Sequence, residues 1–487
     1  MKNSKICLLI LAICAISCNQ SEETPFTKYF SDGSLRIDYF HTGDANTEEV
    51  KIDQTFHYAQ WAGSKVNLID ELNYGAYYHK IYDEASQELI YSRGFDSYFK
   101  EYQVSTPAIE GEVKEFHESA IIPRPKSNFV FALEKRSKEG AMVEVFRTTI
   151  DLNDAKKAPL DNTVKTYASL DNGSPNLKAD VVIIGEGYSD DEVQKFQDDL
   201  ERFTEIFFRA EPCRSNKGKF NIRGVLKPSI DSGIDEPNAG IDKNTAVNAT
   251  FNSMGSERYV LTEDNKSLRD IAGHVPYDAL YIMVNHSRYG GGGIYNFYCT
   301  YTSDNINSAY LMVHEFGHSF FGLADEYYTS STAYNDFYSA DYEPSEPNIT
   351  ALKDPENVKW KALLTEDIEV PTQWPKSKFD SLDGVWQAKR KLMNENTMAL
   401  QKSGASAEEV SKAKVDYNTQ SLDRDEKVQD YLENSGFAGK VGAFEGAGYA
   451  STGLYRPSIN CIMFTRTDFF CPVCQDAMVK VIDSYSK

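Results

Sequence analysis

The chain has little positive charge for its size. Its 487 residues include 51 Lys and Arg against 73 Asp and Glu, which gives a net charge of −22. Such a charge repels phosphate backbones, so we expect no nucleic acid partner. The length is sufficient for two or three domains with sizeable cores.

Long apolar runs are absent beyond residue 20, where no segment reaches the roughly 18 residues of a spanning helix. Residues 1–20 have a Lys-bearing start, an apolar stretch over 6–16 and small residues before Cys18, a pattern typical of a secretory signal. The stretch resembles a bacterial lipoprotein signal. The resemblance implies a signal peptide over 1–18, a lipidated Cys18 and a lipid anchor in the cell envelope, at the outer membrane or cell surface. The alternative is an ordinary cleaved signal.

A phosphate-binding glycine loop is also missing. Gly185 and Gly187 follow an apolar strand predicted over 179–184, but Asp190 stands where a Gly-x-Gly-x-x-Gly loop needs its third glycine. We therefore expect no nucleotide.

Cysteines are few, and those outside the signal are odd in number. The five are Cys213, Cys299, Cys461, Cys471 and Cys474. At least one thiol must stay unpaired within the chain. Cys471-Pro-Val-Cys474 lacks a second Cys-x-x-Cys and the context of a thioredoxin-like site, which favours a structural disulfide or buried thiols over a redox motif or half of a zinc knuckle. The pairing stays open.

Hydrophobic periodicity divides the chain into two regions. Residues 25–155 alternate between apolar and polar, which predicts an antiparallel β-sandwich, and their histidines at 41, 57 and 79 have no metal-ligand spacing. Residues 165–487 mix strand and helix patterns with a charged helical insertion at about 380–435. The predicted fold class is α+β, a β-sandwich followed by an α/β domain.

The strongest chemical signal is His314-Glu315-x-x-His318, inside an apolar stretch over 309–328 that reads as a helix. Residues four apart lie on one face of a helix, so both imidazoles can reach one metal ion. In zinc peptidases this pattern supplies two ligands, and the intervening glutamate is the general base.

Residues downstream of the motif strengthen the prediction of one catalytic zinc ion. Gly322 can end the helix and fold the chain back. Asp325 and Glu326 follow as candidates for an acidic third ligand, and the segment Asn-Cys-Ile-Met that ends at Met463 lies far downstream.

Four glycines at 290–293 precede a predicted strand and the metal helix. Their lack of side chains indicates either close approach of another backbone or a surface loop. In the first case the segment is an edge strand along which a peptide substrate adds.

These motifs together resemble the metzincin pattern and, more closely, the bacterial family named after IgA-specific metallopeptidases. The string His-Glu-Phe-Gly-His-Ser-Phe-Phe-Gly-Leu-Ala-Asp-Glu-Tyr and the later Gly-Leu-Tyr-Arg-Pro and Cys-Ile-Met carry the likeness. It implies an N-terminal β-sandwich followed by a metzincin-like zinc peptidase domain.

The resemblance also implies roles for individual residues. Met463 would lie in the Met-turn beneath the zinc, Tyr455 would assist the oxyanion, and Asp325, three residues after Gly322, would be the third ligand. Three residues separate His318 from Gly322 where two are usual, so Glu326 remains the alternative third ligand. The family name implies immunoglobulin cleavage, although nothing in these residues selects that substrate.

The predicted function is that of an exported or surface-anchored zinc endopeptidase, acting on protein or peptide substrates and bound to the membrane through its lipid anchor. One alternative is a non-catalytic surface lipoprotein that binds glycan or host protein and has a structural metal site. The other is a zinc amidohydrolase acting on cell-wall substrates.

Overall fold

A computed structural model describes residues 24–329 and 337–486 of the chain. The predicted signal over 1–18 and Cys18 lie outside the described residues. Within the described part, no helix combines the length and apolarity that a membrane crossing requires.

The N-terminal region is built mainly from strands. Its elements are α1 (Pro25–Tyr29), β1 (Phe30–Gly43), β2 (Glu48–Tyr58), β3 (Tyr77–Asp83), β4 (Leu89–Phe95), α2 (Tyr98–Gln103), α3 (Thr106–Ile109), β5 (Lys114–Pro125), β6 (Phe129–Arg136), β7 (Met142–Ile150) and β8 (Lys156–Lys157). They form two four-stranded sheets, ordered β5-β1-β2-β8 and β4-β3-β6-β7. All pairings are antiparallel except that of β2 with the short β8.

The two sheets share one apolar core. Leu35, Ile37 and Tyr39 of β1 pack in the same cluster as Ile81 of β3 and Phe131 of β6, and all five are fully buried. Alternate residues of a strand point to opposite faces, so this inward set arises from the alternation in the sequence. The expected β-sandwich is therefore present.

The C-terminal region contains a mixed sheet with helices. Its elements are β9 (Lys165–Leu170), β10 (Ala179–Glu186), α4 (Val193–Phe207), β11 (Phe220–Leu226), α5 (Asn265–Ala272), β12 (Ala279–Val284), β13 (Gly291–Ile294), β14 (Tyr298–Thr302), α6 (Ser308–Ser319), α7 (Lys376–Lys402), α8 (Ala407–Glu433), β15 (Val441–Ala447), β16 (Ala450–Ser458) and α9 (Pro472–Tyr485). Six strands form a sheet ordered β13-β14-β12-β10-β11-β9, in which the four central strands are parallel and both edge strands antiparallel. β15 and β16 form a separate hairpin. The fold is α+β, as expected.

Two apolar cores cover the six-stranded sheet. Phe203 of α4 and Phe316 of α6 pack in the first, with Tyr281 of β12. The second core joins Ile184 of β10 to helix α5 and also contains residues of the N-terminal region, among them Phe99. The two regions are therefore not separated by a solvated joint, because they bury apolar surface together.

Buried polar contacts reinforce this junction. Arg36 of β1 is buried and lies 3.0 Å from Asp38 and 2.8 Å from Asp270 of α5. A buried guanidinium needs such partners, since an unpaired charge away from water is costly.

The charged insertion forms two long helices, α7 and α8, connected by a short turn. Their inner ends are anchored to the first core by Phe379 and Val428. A Ser406 and Glu409 capping box begins α8, which explains why a predominantly polar segment has a sharp start.

Candidate metal centre and active site

Helix α6 places two imidazoles together, as the four-residue spacing predicts. His314 and His318 lie one turn apart, with their Nε2 atoms 3.2 Å from each other. The Nδ1–H of His314 donates to the Ile462 carbonyl at 2.9 Å, and that of His318 donates to the Leu323 carbonyl at 2.6 Å. These bonds fix the tautomers, so both Nε2 atoms present lone pairs to one point.

Gly322 ends the helical segment and turns the chain back toward these imidazoles. Its φ of 64° is in the left-handed region, and its N–H donates to the His318 carbonyl at 3.1 Å. The returning chain places Asp325 Oδ1 at 3.1 Å from Nε2 of His314 and 3.2 Å from Nε2 of His318.

The three ligand atoms fit a metal ion of zinc size. Bonds of about 2.0–2.1 Å to nitrogen or oxygen place neighbouring tetrahedral ligands about 3.3 Å apart, close to all three separations observed. Asp325 is buried, and apart from the two imidazoles its Oδ1 has no hydrogen-bonding partner among the described residues. Its Oδ2 accepts a 2.5 Å hydrogen bond from the Tyr449 hydroxyl.

The electrostatics of this triad favour a cation. Burial opposes charge on Asp325, yet the two imidazoles outweigh it and hold the pKa of Asp325 well below its ordinary value. Burial likewise opposes charge on His318, but Asp325 raises the pKa of His318 to about 9. The negative potential that attracts a proton here also attracts a metal ion.

Glu315 lies between the two histidines in sequence and faces a cavity of about 130 Å³ that all three triad residues also line. Burial raises the pKa of Glu315 above its ordinary value. A carboxylate with such a shift, beside a metal site, is suited to receive and return a proton.

The glycine segment forms an ordered edge strand beside the helix. A Cβ at Gly293 would lie 2.5 Å from the Glu315 carbonyl oxygen, so only glycine fits there. The outer side of Gly291 is already bonded to the chain at Arg258 and Val260. The edge open to a further strand therefore begins after Gly291.

The Met-turn lies under the metal helix. Met463 packs so closely that a Cβ on Gly317 would lie 2.7 Å from its Sδ. The Met463 carbonyl accepts a 2.8 Å hydrogen bond from the Glu326 N–H. Sulfur is polarizable and the side chain adaptable, which suits this tight contact.

Two other residues considered from the sequence lie elsewhere. Glu326 points away from the histidines, and its Oε1 lies 3.3 Å from the Cys474 Sγ. Tyr455 belongs to β16, where its backbone pairs with Thr350, and it is not among the residues that line the cavity.

Sequence reasoning missed several residues of the cavity. Arg258 and Tyr449 contribute from loops far from the motif in the chain, so no local spacing marks them, and Tyr327 follows Asp325 by two residues. Asp96 and Glu101 of the N-terminal region also line it. The N-terminal region, whose histidines lack metal-ligand spacing, therefore contributes other side chains to the wall of the site.

A buried triad of two imidazoles and a carboxylate, with a glutamate beside it in the same cavity, is the arrangement of a metal-dependent hydrolase that cuts peptide bonds, a metallopeptidase. Comparison with protein families agrees. A family model described as IgA Peptidase M64 matches residues 168–482, and one described as Peptidase M64 N-terminus matches residues 25–147. The chain belongs to the IgA peptidase M64 family. A search of curated proteins found no match.

Proposed function

We propose that the protein is a zinc-dependent endopeptidase. The observation that supports this most strongly is the near-equal spacing of Asp325 Oδ1 from both imidazole Nε2 atoms. Ligands of this type in this geometry suit zinc better than the harder ions calcium and magnesium, which prefer all-oxygen sites.

His314, His318 and Asp325 would hold the ion. When bound, zinc lowers the pKa of water and polarises a carbonyl oxygen, which is the chemistry that peptide hydrolysis needs. Tyr449 keeps the Asp325 carboxylate oriented through its hydrogen bond to Oδ2. The backbone acceptors at Ile462 and Leu323 do the same for the two imidazoles.

Glu315 acts as the general base. It accepts a proton from the water that attacks the scissile carbonyl carbon, and it returns that proton to the departing amine nitrogen. Burial of Glu315 supports both steps. It raises the pKa of the carboxyl toward the pH at which the enzyme works, so the group can both accept and release a proton.

Oxyanion assistance comes from groups inside the cavity rather than from Tyr455. Arg258 Nη2 lies 3.4 Å from the Tyr327 hydroxyl, and both residues line the cavity. A guanidinium and a phenol are donors suited to a carbonyl oxygen that gains negative charge.

The substrate is an extended polypeptide. Gly292 and Gly293 offer edge-strand backbone beside Glu315. A larger cavity of about 770 Å³, bounded by α7 and α8, shares Arg258 and Tyr289 with the catalytic cavity. Two cavities that share wall residues suit a chain that extends beyond the cut bond, as an endopeptidase requires.

Three acidic side chains, Asp96, Glu101 and Glu346, line the catalytic cavity. We expect a substrate side chain with positive charge to bind there. Glu101→Gln should therefore raise KM for a peptide with Lys or Arg near the cut bond more than for its neutral counterpart.

The protein is exported and anchored to the cell envelope through lipid on Cys18. The pattern of residues 1–18 supports this. Cys18→Ala should abolish palmitate labelling and release the protein from membranes, and unchanged labelling would contradict the proposal. Immunoglobulin is one substrate to test, because the family name gives it.

The decisive experiment is digestion of a peptide library by the purified protein after chelation and after zinc is returned. Internal cleavage that is lost on chelation and restored by zinc supports the proposal. Failure to cut any peptide, with cleavage of cell-wall amides, would favour an amidohydrolase. A fully metal-loaded protein without hydrolytic activity would favour a binding role.

A further inference from the structure

The second cluster of potential metal ligands lies behind the catalytic triad. It comprises Glu326, Cys461, Cys471 and Cys474, all buried, with one ligand atom of each within 4.8 Å of every other. All five cysteines in the described part of the chain are free thiols. Of the two forms expected from the sequence, a disulfide or buried thiols, the structure contains buried thiols. Three of them lie close together.

We propose that these four residues bind a second, structural zinc ion, separate from the catalytic site.

The separations suit tetrahedral coordination. Bonds of about 2.3 Å from zinc to sulfur place neighbouring sulfur ligands about 3.8 Å apart. The Sγ atoms of Cys461 and Cys474 are 3.8 Å apart, and Cys474 Sγ lies 3.3 Å from Glu326 Oε1. Sulfur atoms joined in a disulfide would be about 2.0 Å apart. Three thiolates with one carboxylate form a closed, soft donor set that selects zinc over calcium or magnesium.

The start of helix α9 favours negative charge at two of the three cysteines. Cys471 is the N-cap of α9 and Cys474 lies in its first turn, where the helix dipole favours negative charge. The Cys471 N–H donates to Cys461 Sγ at 3.3 Å. Binding would release a proton from each thiol, leaving the sulfurs as anionic ligands.

One buried carboxylate oxygen in this cluster has no partner in the described part of the chain. Glu326 is fully buried, and its Oε2 has no hydrogen-bonding partner among the described residues. An isolated carboxylate of this kind is costly unless it is paired with positive charge. Arg456 is buried and interacts electrostatically with Glu326 and Cys461. One guanidinium would not offset the carboxylate together with three thiolates, so deprotonation of all three thiols would need the ion itself.

The second ion would fix two segments of the catalytic site. Glu326 directly follows Asp325, and Cys461 directly precedes Ile462, whose carbonyl orients His314. The Ile462 N–H bonds to the Phe469 carbonyl at 2.8 Å, which closes the loop between Cys461 and Cys471. One ion would therefore hold together the third-ligand segment, the Met-turn and the start of α9.

Zinc content per chain tests the proposal. After dialysis against metal-free buffer, we expect two zinc ions in the unaltered protein and one in Cys471→Ser. We also expect one in His318→Ala and none when both changes are combined. Cys213→Ser is the matched control, since Cys213 is a buried thiol outside the cluster, and it should keep two.

A second measurement needs no variant to fold. Replacement of zinc by cobalt in the unaltered protein should give the near-ultraviolet absorption of thiolate bound to cobalt, and an organomercurial that blocks thiols should abolish it. A single zinc that is lost in His318→Ala would overturn the proposal, as would a disulfide among Cys461, Cys471 and Cys474 in the unreduced protein. If the proposed catalytic zinc site were wrong but the second site right, the protein would keep one zinc ion in His318→Ala and lose it in Cys471→Ser.

Discussion

The backbone N–H of Glu326 donates a 2.8 Å hydrogen bond to the carbonyl of Met463, although 137 positions separate the two residues in sequence. This bond aligns the segment that carries Asp325 with the Met-turn, whose neighbouring carbonyl at Ile462 orients His314. Asp325 and His314 therefore depend on the same hydrogen-bonded segment for their positions. Small shifts in that support should change metal binding before they change the fold.

Glu315→Gln tests the general base. We expect peptide cleavage to fall by at least about 10²-fold while metal content is kept, because the amide cannot accept the proton but leaves the triad intact. Metal analysis and single-turnover rates check this. Glu426→Gln, an exposed glutamate on α8, is the control and should keep full activity. A Glu315→Gln protein with normal activity would remove Glu315 from the mechanism.

Tyr449→Phe tests the support of Asp325. Loss of the 2.5 Å hydrogen bond should weaken catalytic metal affinity by about 10- to 100-fold, since partners of a ligand orient it. Competition with a chelator measures the affinity. Tyr455→Phe is the matched control on the neighbouring strand, and equal loss in both variants would refute a specific role for Tyr449.

Gly293→Ala tests the close approach of β13 to the metal helix. The new Cβ would lie 2.5 Å from the Glu315 carbonyl oxygen and 3.0 Å from His318 Cβ. We expect a loss of about 1–3 kcal/mol in the free energy of unfolding, with a large loss of activity. Denaturant unfolding and peptide assays measure both. Gly218→Ala, where a Cβ meets nothing within 4 Å, should change neither.

His41 should make the stability of the β-sandwich depend on pH. Burial opposes its charge, but Glu118 and Glu48 raise the pKa of His41 from 6.5 to about 9. Because the pKa of His41 is higher in the folded than in the unfolded state, protonated His41 stabilises the folded protein. This contribution is complete below pH 6.5 and disappears as the pH rises through about 9. The shift corresponds to about 3 kcal/mol.

His41→Gln should therefore destabilise the protein more in mild acid than in alkali. Urea unfolding across that range measures the difference. His57→Gln is the control, because burial lowers the pKa of His57 instead of raising it, so its removal should not destabilise the protein more in mild acid. If His41→Gln lowered the free energy of unfolding by the same amount at every pH, protonated His41 would not be the source of the pH dependence.

Removal of residues 24–155 should yield an insoluble catalytic region. Phe99 and Phe116 share a core with Ile184 and Ile282, so the deletion exposes apolar surface of the six-stranded sheet. The soluble fraction after expression measures the outcome. Deletion of residues 391–416, which contain no buried residue, is the control and should stay soluble. A soluble, zinc-loaded protein without the sandwich would show that the shared core is dispensable.

Local patterns determined much of this protein. The four-residue spacing in a helix brings His314 and His318 together whatever the rest of the chain does. The alternating apolar residues of β1 likewise act through neighbours in sequence, and Leu35, Ile37 and Tyr39 pack in one core. The helix end at Gly322 follows from the left-handed backbone that glycine adopts readily.

Tertiary structure alone decided which side chains meet across long separations. Asp325 and Glu326 are adjacent carboxylates, and only the direction of the returning chain places one beside the imidazoles and the other among thiols. Tyr449, not Tyr455, reaches Asp325 because the hairpin of β15 and β16 turns there. Cys461 meets Cys471 and Cys474 because the chain between them folds back at the start of α9. Such contacts depend on how distant elements pack, and the neighbouring residues in sequence do not determine that packing.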